Sequence, residues 1–360
     1  MLQVANHTPF SAALSVFADT QGIESAYAVV KATFALGAGE PQLAEKQMPL
    51  LATDVFWGDP LQTSLRAAGE FALPKLGTDI LLVGRAIAQA PDTRVADVSL
   101  RVGPISKTVR VFGDRIWEGS GSNLKPSQPQ PWERMPLRWE LAFGGVAPPD
   151  QGEQAHEPRN PVGRGIVGAD VARLKGQPLP NLEDPRALIA TPRDRPAPAC
   201  FAPIAPTWMP RRSYTGTYDD AWTHKRAPYL PLDFDSRYFQ LAPQDLIAPG
   251  FLQGGEPVEL AGFTLGAPLR FTLPQLQLTL EFDFDGALVP KPALLEMVLF
   301  EPDAGRLQML WRAGLAVDKK LLKMRELTVR CAEYDKDGNP PPPLARLQTM
   351  PRAYAGAGAA

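Results

Sequence analysis

The stretch VADVSLRVGPISKTVRVF, Val95 to Phe112, decides the fold class. Two runs, Val95–Val102 and residues 106–112, flank Gly103-Pro104, a dipeptide that marks a turn. In the second run Thr108, Arg110 and Phe112 alternate with Lys107, Val109 and Val111. A period of two belongs to a half-buried strand and not to a helix. The stretch therefore reads as a β-hairpin, closed by a further turn at Gly113-Asp114.

The same signal recurs on both sides. Upstream, residues 26–36 (AYAVVKATFAL) and 79–88 (DILLVGRAIA) read as strands. Downstream, residues 257–265, 269–273 and 275–284 alternate. In the last of these, Leu276, Leu278, Leu280, Phe282 and Phe284 face one way, and Gln277, Thr279, Glu281 and Asp283 the other. Residues 294–300 and 306–311 form a second hairpin over Pro302-Asp303-Ala304-Gly305, a turn sequence by composition. Residues 319–331 fit a strand or a short helix. Short strands are expected near 137–143, and helix only as one or two turns within 162–175 and at 242–247.

Composition agrees. Pro 39 and Gly 30 make up about 19% of the 360 residues, against a usual share near ~12%. Proline breaks helix interiors and is barred from central strands. The expected fold is mainly β, with sandwich or barrel-like antiparallel sheets, long ordered Pro-rich loops and few short helices. The expected organisation is one large domain over 1–312, undivided or split into β subdomains at about 1–120 and 233–312. A Pro/Trp-rich loop region, 121–232, would join them, and 313–360 would be a C-terminal extension, partly frayed.

The formal net charge is -2, with Lys plus Arg 37 and Asp plus Glu 39. A near-neutral chain without a basic run is a poor ligand for nucleic acid or an anionic membrane. The first residues, MLQVANHTPF, lack the pattern of a signal peptide, and no apolar run nears the ~20 residues that span a bilayer. Two widely separated cysteines, Cys200 and Cys331, read as reduced, buried thiols. The expected location is the cytoplasm.

Chemical motifs are few. Gly163-Arg-Gly165-Ile-Val-Gly168 has the spacing of a dinucleotide loop. It follows His156-Glu-Pro-Arg-Asn-Pro161, which cannot be a buried strand, so a tight glycine loop is the expectation. Glu281 to Gly286 resembles the start of a calcium loop, but its twelfth position is Pro292, so a strand ending in an Asp-Gly turn fits better. His7, His156 and His224 show no metal-ligand spacing. No metal and no cofactor is expected. His224 near Asp219, Asp220 and Ser213 leaves a hydrolase open, as do paired carboxylates brought together in space.

Residues 121–232 hold 19 of the 39 prolines, and five of the seven tryptophans lie between Trp117 and Trp222. Trp132, Arg134, Trp139, Trp208, Arg211, Tyr214, Tyr218, Trp222 and Arg226 interleave aromatic rings with guanidinium groups. These residue types carry protein-interface hot spots and also pin loops by cation–π contacts. They are the candidate partner-binding residues, with packing as the competing role.

The order of motifs carries a resemblance. Asn6-His-Thr-Pro-Phe10, Lys31-Ala-Thr-Phe34 and Gly113-Asp-Arg-Ile-Trp117 come first. Met135-Pro-Leu-Arg-Trp-Glu-Leu-Ala-Phe-Gly-Gly145, Asn160-Pro-Val-Gly163 and Leu179-Pro-Asn-Leu-Glu183 follow. Gly216-Thr-Tyr-Asp219, Trp222, Arg226 and Pro231-Leu-Asp-Phe-Asp235 complete the series. Over about residues 6–312 the chain resembles the accessory family of bacterial type VI secretion systems known as domain of unknown function 2169. The resemblance implies an adaptor or chaperone that binds a secretion effector and promotes its loading onto the VgrG/PAAR spike. It supplies no catalytic residue. The expected partners are an effector and/or the spike proteins, with oligomeric state open. The other classes are a hydrolase using a carboxylate or His224 in a loop-lined cleft, and a structural part of a phage-tail-like assembly.

Overall fold

A computed structural model describes residues 3–147, 155–168 and 174–340. The fold is mainly β, with 38% strand against 10% helix, and no sheet closes into a barrel among the described residues. Three sheets dominate.

The central sheet runs Ser11–Ala18, Glu24–Ala35, Arg306–Ala316, Leu294–Glu301, Asp79–Leu82, with Gln42–Leu43 added beside Glu24–Ala35. Residues 26–34 are buried without a break, as expected for a strand covered on both faces. The hairpin Leu294–Glu301/Arg306–Ala316 forms as read, turning through Pro302–Ala304 with Gly305 left-handed at φ 58°. Asp79–Leu82 joins in parallel at the edge. The run read as one strand over 79–88 is two: after Gly84, Arg85–Ile87 leaves to pair with Arg134–Pro136.

The second sheet has five antiparallel strands, in the order Leu182–Glu183, Ile105–Phe112, Val95–Val102, Pro257–Ala261, Leu269–Thr272. The Gly103-Pro104 hairpin is present, Val102 facing Ile105. The third sheet runs Gln3–Asn6, Met324–Cys331, Leu278–Phe284, Ala287–Pro292. Asp285 and Gly286 both take positive φ, 58° and 88°, the pairing of a tight hairpin turn. Ala287–Pro292 escaped notice because Pro290 and Pro292 argue against a central strand; it lies at the sheet edge, where proline is tolerated.

Strands from both halves of the chain interleave in the central and five-stranded sheets, and one core cluster draws on all three sheets. No division at 121–232 separates them. Arg306–Ala316 runs across residue 313, and Met324–Cys331 pairs with both Gln3–Asn6 and Leu278–Phe284. Hydrogen bonding of two otherwise exposed strand edges is what draws this segment into the body.

Near 137–143 two short strands, Arg134–Pro136 and Phe143–Gly144, flank a 3₁₀ turn at Trp139–Leu141. The helix expected within 162–175 falls partly on residues outside those described, and Arg164–Gly165 is strand. Residues 242–247 hold a single 3₁₀ turn, Gln244–Leu246.

The central sheet buries charge. Lys31 Nζ donates to both oxygens of Glu70 at 2.8 and 2.7 Å, and Arg312 donates to Glu296 at 2.7 Å and to the Glu70 carbonyl at 2.9 Å. A β-bulge between Leu295 and Met297 frees Glu296 from the ladder and aims it at Arg312 and the Lys75 backbone N–H. Lys75 pairs with Asp79 at 2.5 Å. Asp79 also accepts from Leu241 N–H, Ala242 N–H and Gln240 Nε2. These bonds fasten the loop at 240–242 to the sheet edge. Leu82 N–H donates to the Phe201 carbonyl, so a second loop, near 199–205, is fastened to the same edge strand.

Candidate protein-binding groove

Those two loops face each other over the edge of the central sheet. Ile204 N–H donates to the Leu241 carbonyl and ties them together. Prolines 196, 198, 203 and 206 hold the first loop extended. Between the loops and the five-stranded sheet lies a groove in two sections.

The outer section encloses about 640 Å³. Trp139, Pro198, Ile204, Met209 and Pro210 give it an apolar surface. Its rim is charged and paired: Lys107 with Asp245 at 2.7 Å, Arg186 with Asp184 at 2.7 Å, and Arg159 with Glu157 at 2.7 Å. The Arg186 hydrogen bond holds the Asp184 carboxyl below its usual range. The inner section, about 330 Å³, shares Ile204, Pro210 and Gln244 with the outer one. It ends against Leu76, Pro249, Arg211 and Tyr214.

The structure sorts the sequence candidates into three groups. Trp139, Trp208, Arg211 and Tyr214 gather at the groove. Trp139 lines it and stacks edge-on against Trp208, ring centroids 6.2 Å apart, while its indole N–H donates to the carbonyls of Ala202 and Pro203. Arg211 is buried, and Tyr214 is half-buried under the Arg237 guanidinium. Tyr218, Trp222 and Arg226 form a separate outer knot. Asp219 caps the helix Asp220–Lys225 through Trp222 N–H, Tyr218 meets the Trp222 ring at 4.7 Å, and Arg226 donates to the carbonyls of Thr20, Gln21 and Leu230. Trp132 and Arg134 stand apart, Trp132 buried and Arg134 exposed. Burial of Trp132, Trp139 and Trp208 gives these three a packing role in the free chain, whatever else they touch.

Lys107, Arg159, Asp184, Arg186, Pro198 and Asp245 were not singled out from sequence. They come from distant segments, and no spacing announces their meeting. The composition of 121–232 was the one usable signal.

The other candidates resolve differently. His224 is exposed, its Nδ1 2.7 Å from the Asp220 carbonyl, while Ser213 Oγ donates to the Pro210 carbonyl and Asp219 is engaged as helix cap. No serine–histidine–carboxylate contact forms among them. Burial pushes the Cys200 thiol up to about 12, so it stays protonated at neutral pH. Cys331, expected to be buried, is half-buried at the end of the strand Met324–Cys331, opposite Leu278, and its thiol is also pushed up to about 12, first by burial.

The glycine motif belongs to a buried knot. Gly165 takes φ 97° and Arg164–Gly165 pairs with Phe143–Gly144. A Cβ on Gly144 would stand 2.2 Å from the Asn160 carbonyl oxygen, and one on Gly163 2.3 Å from Asn160 Nδ2. Asn160 donates to the Trp139 and Phe143 carbonyls. Asn181 donates to Asp114 and to the Phe112 carbonyl, and Arg115 pairs with Glu183. The quoted stretches 113–117, 135–145, 160–163 and 179–183 thus fold onto one another and fix Trp139 in the groove wall.

Fold and groove define a class: a β-sheet protein whose loop excursions build an apolar groove with a charged rim. The chain belongs to a bacterial family described as "Uncharacterized protein conserved in bacteria (DUF2169)", whose family model matches residues 21–312. The match ends inside the strand Arg306–Ala316. No curated protein matches, and no solved structure matches. Among the described residues no helix is long and apolar enough to cross a membrane.

Proposed function

We propose that this protein is a cytoplasmic adaptor or chaperone that holds a secretion effector without covalent chemistry and promotes its loading onto the VgrG/PAAR spike of a type VI secretion apparatus. The observation that carries the binding role is the groove itself. It joins sections of about 640 and 330 Å³ with an apolar floor of Trp139, Ile204, Met209 and Pro210. A proline-lined channel of that kind suits an extended segment of a client, with side-chain pockets giving selectivity. Each rim ion pair has at least one exposed member, so the pairs can exchange partners with a client's charges and steer its approach. The type VI setting rests on the motif resemblance.

Co-expression with the polypeptide encoded beside this chain, followed by size-exclusion chromatography, tests the proposal. The expected result is a defined complex, with the partner insoluble or degraded when expressed alone. A partner that is stable alone and elutes separately would overturn it.

A further inference from the structure

Among the described residues, the covered cationic side chains of Lys31, Lys75, Arg115 and Arg312 each have a carboxylate of their own, from Glu70, Asp79, Glu183 and Glu296. Arg211 does not. Its guanidinium, 7% exposed, donates from Nε to the Tyr238 carbonyl at 2.8 Å and from Nη1 to the Ile204 carbonyl at 2.7 Å. It also lies 5.0 Å from the Tyr238 ring centroid. None of the described residues accepts from Nη2, and that nitrogen is not sealed from solvent. Asp54 and Asp79 act on Arg211 only at a distance; Asp54 is engaged by Gly69 N–H, and Asp79 by Lys75 and the loop at 240–242. A largely buried guanidinium without an anion keeps its charge uncompensated, and Nη2 keeps a donor open to an incoming group.

The inner section of the groove carries the same asymmetry. Arg211 and Arg237 line it, and no Asp or Glu does. Arg237 is occupied by Asp235 at 2.8 Å, leaving Arg211 as the free donor. The remaining wall combines apolar Leu76, Ile204 and Pro249 with the uncharged polar side chains of Tyr214, Gln240 and Gln244.

We propose that Arg211 anchors a carboxylate of the client at the inner end of the groove. The inference rests on the reading that the groove takes a client, and it names the chemistry that client must present: an aspartate, a glutamate or a chain-terminal carboxylate, flanked by small apolar residues. Arg211 keeps its charge at neutral pH, and a carboxylate would complete its fork of donors. The neighbouring Arg237–Asp235 pair would orient the entering chain by charge. A free anion offers the same chemistry, but it would leave Leu76, Ile204 and Pro249 uncovered.

Two pools of acetylated tetrapeptide amides test this on the wild-type protein. One ends in Leu-Asp and the other in Leu-Asn, each with two randomised preceding positions. The Asp pool should bind at least about tenfold more tightly, since a hydrogen bond to a charged partner is worth about 1.5–3 kcal/mol. Arg211→Met should abolish that difference, and Arg211→Lys should restore part of it. Where Arg211→Met fails to fold, the wild-type comparison still decides. Equal binding of the two pools, or binding of neither, would overturn the inference. So would inorganic phosphate competing as strongly as the Asp pool, which would mark a small-anion site. A client that never complexes with wild-type protein refutes the adaptor reading. A client that binds wild type and a folded Arg211→Met equally well refutes only the anchor.

Discussion

The central sheet and the loop-built groove handle charge in opposite ways. In the sheet, Lys31, Arg312, Glu296 and Lys75 are buried and each has a partner fixed by the strands or by the bulge at Glu296. At the groove, the paired charges sit on the rim, with Arg186 82% exposed, and the buried one, Arg211, has only carbonyls and a ring. A fixed buried pair contributes order: removing one member strands the other in a dry interior. An exposed pair adds little stability and can change partners. The sheet holds the loops in place, and the loops form the groove proposed to take a client.

The comparison can be broken first at its strongest point. Arg312→Leu strands Glu296 and should destabilise the fold by about 3–5 kcal/mol, read from urea unfolding. A loss within experimental error would mean that the sheet's charges are not structural. Next, Asn160→Ala removes the donor from the Trp139 and Phe143 carbonyls and should cost about 1–3 kcal/mol per unsatisfied carbonyl. Client affinity should fall with it, because Trp139 loses its backbone support. Third, Ala197→Trp adds bulk at an exposed groove position. It should leave the unfolding midpoint unchanged and weaken client binding at least about tenfold, comparable to the loss of one interface hot spot. A loss of stability in Ala197→Trp matching its loss of binding would erase the division between sheet and loops.

Acid gives the smallest effect, and it separates the two regions by sign. Burial pushes the Glu70 carboxyl above its ordinary 4.5, so the folded form takes up that proton more readily than the unfolded form. Stability tied to Glu70 is therefore present below 4.5 and lost as pH rises through its folded value. Hydrogen bonds from Arg186 and Arg237 hold Asp184 and Asp235 below their ordinary 3.8. Their contribution is present above 3.8 and lost as pH falls through the folded values. Unfolding midpoints from pH 7 to 3 should hold or rise slightly towards 4.5 and fall below 3.8. Glu70→Gln should flatten the upper part alone.

What the sequence made legible was local. The hairpins at Gly103-Pro104 and Pro302–Ala304 declare themselves because the turn residues sit between strand-like runs, whereas at Asp285-Gly286 the turn was legible and the proline-bearing strand after it was not. Pairings that depend on distant partners did not declare themselves. Asp79–Leu82 alongside Leu294–Glu301, and Gln3–Asn6 alongside Met324–Cys331, are parallel and far apart in the chain. The second of these ties the segment after 313 to the N-terminal strand. The site was half legible for the same reason. Trp139, Arg211 and Tyr214 stand out by residue type, whereas Lys107, Asp184 and Asp245 reach the groove only through the folding of separate segments. Sequence also could not tell that Arg211 is buried, since the carbonyls that hold it come from Ile204 and Tyr238.

Hydrogen–deuterium exchange of the purified client complex against the free protein tests the central claim most directly. The account predicts new protection concentrated at 197–211 and 240–249, the two loops that form the groove, with the central sheet unchanged. Protection confined to the outer knot at 218–230 or to the third sheet, with 197–211 exchanging as in the free protein, would contradict it.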